Sequence, residues 1–185
     1  MLLDTFKILM GYGFELAKYR EGRAHDRFDG LVRPMYESIL SIHADYVRMF
    51  NKALAALHED TPLEDVVVAL HLDRTTSNVM RHEFFRVASS LNEAKGLPKE
   101  ILHFVDEICQ YIDALTMYNA GTPSSVVRNY LHILQLRGNG EQHAVKVIES
   151  RQNARHFLTM AISRLDIHAK SISSSYSTLL NSRYA

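Results

Sequence analysis

Residues 33–57 read RPMYESILSIHADYVRMFNKALAAL, and their spacing decides the fold class. Met35, Ile39, Ile42, Tyr46, Met49, Ala53 and Ala56 alternate steps of four and three. That rhythm keeps one row of side chains on one face of a helix for about three heptads, as in helices packed at a shallow angle. Tyr36, Leu40, Val47, Phe50, Leu54 and Leu57 form a second row one residue over, with His43 in the same row. An apolar face this broad needs more than one neighbour, so the segment is expected at the centre of an α-helical bundle.

Similar patterns surround it. Thr61 as cap, Pro62 at the first helical position and Glu64 closing a capping box start another helix. Its stripe is Val66, Leu70, Met80, Phe84, Val87 and Leu91, with Asp73 and Ser77 occupying the same register, so a polar waist or a break is expected there. A helix after Pro98 carries Ile101, Val105, Ile108, Ile112 and Leu115, and another starts at Thr122 and Pro123. After RGNG a long last helix aligns Val147, Arg151, Ala154, Leu158, Ala161, Leu165, His168 and Ile172, before a Ser-rich tail, 173–185, expected to fray. Hairpin chemistry with alternating β-branched residues is missing. The expectation is an all-α, single-domain antiparallel bundle over 1–185, with about six helices and a long C-terminal one.

Composition narrows the function. The chain has 185 residues, enough to bury roughly 70% of its unfolded surface around one core. Lys plus Arg and Asp plus Glu both total 21, so no global field favours nucleic acid or anionic lipid. A single cysteine, Cys109, leaves no intrachain disulfide framework and suits a cytoplasmic protein.

The opening MLLDTFKILMGYGFELAKYR gathers Asp4, Lys7, Gly11, Glu15 and Lys18 into one narrow stripe on an otherwise apolar helix. Those charges argue against a signal peptide and against a transmembrane span. A lipid-surface helix would carry a broader, Lys/Arg-rich face. The apolar side chains Leu2, Leu3, Phe6, Leu9, Met10 and Phe14 are therefore expected at a protein interface, reached across KYREGRAHDRFDG.

Catalytic and metal chemistry finds little purchase. His103 with Asp106 and Glu107 reads as a surface hydrogen-bonded cluster, so no metal or other cofactor is expected. His43 reads as a core histidine bonded to a carbonyl or a tyrosine. Cys109 has no cationic neighbours in sequence to activate it. His71, Arg74, Arg81 and His82 could form a local anion patch but lack the interleaved aromatics of a single-strand binder.

One motif offers an enzymatic alternative. RQNARH, residues 151–156, resembles the Arg-x4-His signature of the HEPN family, with Gln152 where that family commonly has Asn, Asp or His. The resemblance implies an all-α ribonuclease acting without metal across a dimer. His156 would transfer protons and Arg151 would hold the scissile phosphate.

Arg151 nonetheless lies on the apolar stripe, where an unpaired charge costs several kcal/mol. Asp73, the other charge on such a stripe, is its expected structural partner. The leading expectation is a non-enzymatic interaction module that forms a homo-oligomer or joins a hetero-complex. Removing residues 1–20 should then give a smaller or insoluble species in light scattering after size exclusion; an unchanged, folded oligomer would exclude those residues from the interface.

Overall fold

The computed structural model describes residues 28–58, 61–62, 65–66, 86, 97–120, 122–136 and 140–182. Among them the chain is helical throughout its regular structure, with no strand. A π-helical turn, Phe28–Val32, leads into α1, Arg33–Ala56; α2 is Lys99–Ala120, α3 is Thr122–Gln135 and α4 is Glu141–Ser182. The all-α class therefore holds. The described residues contain four α-helices where the sequence leads one to expect about six. Residues 1–20 and most of the stripe from Leu70 to Leu91 lie outside them.

The local rules explain where the helices start. The Val66 N–H donates to the Pro62 carbonyl, and the Ile101 and Leu102 N–H groups donate to the Pro98 carbonyl. Proline suits a first turn because its missing N–H has no intrahelical partner there. Gly140 opens α4 with φ +127°, a left-handed conformation that a side chain would strain, while its carbonyl accepts from His143 and Ala144. Upstream of α1, the last residues of the stretch read as a flexible connector are instead helical. Phe28, Leu31 and Val32 are buried, and Asp29 pairs with Arg33 at 2.9 Å. Pro34 offers no N–H to Gly30, and the chain changes from π to α register just before it.

The chain divides into two compact units. One is drawn from Met1–Ala44, Thr75–Ile112 and Ile167–Ala185, the other from Asp45–Arg74 and Asp113–Asp166. In the first, Met35, Ile39 and Ile42 of α1 are buried, with Ile101, Phe104, Val105, Ile108, Tyr111 and Ile112 of α2 and Ile172 and Leu179 of α4. The stripe expected on α2 is there, broadened by Phe104 and Tyr111; the Leu115 side chain lies outside the description. Tyr36 and Tyr176 stack at 3.9 Å between centroids and 8° between planes, the Tyr36 hydroxyl donates to Ser173 Oγ, and Phe28 tilts against Tyr176 at 5.3 Å.

Of the tail 173–185 expected to fray, the part as far as Ser182 is helical, and residues 183–185 lie outside the described residues. The Ser-rich segment stays helical to Ser182 because Ile172, Tyr176 and Leu179 return to the same face at helical spacing. Ser173, Ser177 and Thr178 bond their hydroxyls to carbonyls four residues back, within the helix.

In the second unit the buried apolar and aromatic residues among those described are Tyr46, Phe50, Ala53, Leu57, Val66, Tyr130, Leu131, Ala154, Leu158, Ala161 and Leu165. Both expected rows of α1 contribute, although Met49 and Ala56 are only half-buried. Arg155 donates to the Leu57 carbonyl at 3.5 Å, placing a cation at the C-terminal end of α1, where the helix dipole favours it. Tyr46 packs edge-on against Phe50 at 6.0 Å, and its hydroxyl is buried without a hydrogen-bond partner among the described residues. A buried hydroxyl left unbonded costs about 1–3 kcal/mol. Tyr46→Phe should therefore raise stability by about 1 kcal/mol or more in urea unfolding; a lower midpoint would show that the hydroxyl is bonded after all.

Candidate functional site

The polar side chains on the apolar stripes are the first candidates. Arg151 is half-buried on α4 and hydrogen-bonds the buried phenol of Tyr130 on α3. Guanidinium N–H groups only donate, so the phenol oxygen accepts. Asp73, the partner expected for Arg151, lies outside the described residues. Burial pushes the Tyr130 hydroxyl above its ordinary value, and the Arg151 charge and hydrogen bond pull it part of the way back.

His156 is exposed, and at 100° per residue it lies about 140° around the helix from Arg151. The Arg-x4-His spacing thus places one member against Tyr130 and the other at the surface, on well-separated faces of one helix.

His43 is half-buried on α1, with its Nδ1 3.2 Å from the hydroxyl of Tyr111 on α2 and the rings edge-on at 5.9 Å. Of the two partners expected for this histidine, tyrosine is present. The cluster around His103 is looser. His103 Nε2 lies 3.8 Å from Glu107, while Asp106 accepts from Gln110 at 2.9 Å. Among the described residues no group of three or more His, Cys, Asp or Glu side chains is placed to hold a metal ion. Cys109 is half-buried on α2. No described helix is long and apolar enough to cross a membrane.

Surface apolar groups supply the remaining candidate. On α4, Val145, Met160 and Ile167 are 49%, 44% and 62% exposed. Measured around the helix, all three lie within about 60° of each other and opposite the buried row of Ala154, Leu158, Leu165 and Ile172. The sequence reading, which followed the inward stripe of α4, passed over this outward one. Its signal was the recurrence of large apolar residues on the far side of an already amphipathic helix. The interface expected at Leu2, Leu3, Phe6, Leu9, Met10 and Phe14 lies outside the described residues, as do His71, Arg74, Arg81 and His82 of the anion patch.

No protein-family profile, curated protein or solved structure matches this chain.

Tyr130 carries a pH consequence. With its folded pKa raised above the unfolded value of about 10, the native state holds the phenolic proton to higher pH than the unfolded chain does. The contribution to stability is then complete below pH ~10 and is lost as pH rises through the folded value. In denaturant unfolding between pH 8 and 11 the wild type should lose stability more steeply above pH 10 than Tyr130→Phe. Parallel curves would mean that this phenol is not shifted.

Proposed function

We propose that the protein is a non-enzymatic helical interaction module whose helices pack as an antiparallel bundle and which associates with further copies of itself, alone or within a larger cytoplasmic complex. The observation carrying this reading is the outward apolar row on α4, Val145, Met160 and Ile167. Large apolar side chains aligned on one exposed face gain free energy when a partner removes them from water, at about 25 cal/mol per Å². Charge supports it as well. Equal numbers of acidic and basic residues leave copies of the chain without net repulsion. The apolar N-terminal segment, read from sequence, would supply a second surface of the same kind.

The enzymatic alternative, a HEPN-like ribonuclease, needs Arg151 and His156 at one phosphate. The Arg151 guanidinium instead acts on the buried Tyr130 phenol, which favours a structural role for that arginine over phosphate binding. Absolute mass by light scattering, followed over a range of protein concentrations, tests the proposal. A discrete species heavier than the 21.2 kDa chain is expected. A monomer at every concentration would overturn this reading and would count equally against a nuclease that works across a dimer, whereas a dimer whose RNA cleavage is lost in His156→Ala would replace it with the ribonuclease.

A further inference from the structure

The outward row of α4 also contains two charges of opposite sign. Glu149 and Lys170 are both exposed; Glu149 falls on the arc that carries Val145, Met160 and Ile167, and Lys170 lies at its edge, about 20° beyond Val145. Between them that arc holds no Asp, Glu, Lys or Arg. They stand about 31 Å apart along the axis at 1.5 Å per residue. Midway between them the chain passes Thr159 and Met160.

This arrangement is complementary to itself under one operation only. A two-fold axis perpendicular to the helix and beside Met160 brings Glu149 of one copy level with Lys170 of the other, twice. A parallel pairing would set Glu149 beside Glu149 and Lys170 beside Lys170. We infer that α4 pairs antiparallel with α4 of a second copy, with Met160 at the two-fold axis and a Glu149–Lys170 contact at each end. The inference rests on the self-association reading and specifies its surface.

The rest of the face agrees with this register. Met160 meets its own counterpart at the axis, where two flexible thioether side chains pack readily. Ile167 falls level with the stem of Gln152, and Val145 with the small Ser174. Arg155 and Arg164 also come level across the axis, but they lie about 180° apart around the helix. In an antiparallel pair like flanks meet, so these two cations stay on opposite sides. An isologous contact of this kind closes at two copies and leaves no open end for polymerisation.

Charge reversal on the full chain is the test. Exposed ion pairs contribute little singly, but each reversal acts twice by symmetry and turns attraction into repulsion. Sedimentation equilibrium at low ionic strength, where screening is weakest, should give a wild-type dimer. Glu149→Lys and Lys170→Glu should each raise its dissociation constant about tenfold or more, and the double reversal should restore it. Both sites are exposed, and circular dichroism confirms that each variant is folded. A dimer whose affinity is indifferent to either reversal, or one that the double reversal fails to restore, overturns this register and leaves the interaction reading standing. A wild-type monomer at all concentrations overturns both.

Discussion

A helix of 42 residues depends on what its apolar face buries. Backbone hydrogen bonds alone leave isolated helices marginal in water, and α4 is rich in serine toward its end, a residue of modest helix propensity. Its persistence to Ser182 follows from a single constraint. Ala154, Leu158, Ala161, Leu165, Ile172 and Leu179 return to one side of the helix at steps of three, four and seven, and all are buried. The first four of these belong to one compact unit and the last two to the other.

Polar groups on the apolar faces are accommodated by tyrosine. His43 has the Tyr111 hydroxyl, Arg151 has Tyr130, and Ser173 has Tyr36. In each case the aromatic ring can occupy apolar space while its hydroxyl meets the polar group, a combination that neither leucine nor serine supplies alone. The two buried serines, Ser38 and Ser150, are satisfied within their own helices by carbonyls one turn back. These arrangements let polar side chains sit on apolar rows without the penalty of an unbonded buried group.

The inward and outward faces of α4 were not equally legible. The inward stripe stands out in sequence because its apolar positions recur without long gaps. The outward row is sparse, with Glu149, Gln152, His156 and Ser163 between Val145, Met160 and Ile167, and becomes visible only when exposure separates it from the core. Likewise Phe104 and Tyr111 are fully buried beside the stripe identified on α2. A stripe one side chain wide undercounts a helix that is covered on more than one flank.

The sequence by itself determined the helical class, the apolar rows of α1, α2 and α4, and the starts at Pro62, Pro98, Thr122 and Gly140. These depend on periodicity and on which residues tolerate a first turn, both properties of neighbouring positions along the chain. Tertiary structure decided which partner each polar residue takes. His43 meets Tyr111 across 68 residues and Tyr36 meets Ser173 across 137. It also decided that the serine-rich end remains helical, because the stack of Tyr176 on Tyr36 joins segments far apart in the chain. Periodicity fixes the direction in which a side chain points from its helix, while the identity of what it meets depends on how the other helices are placed around it.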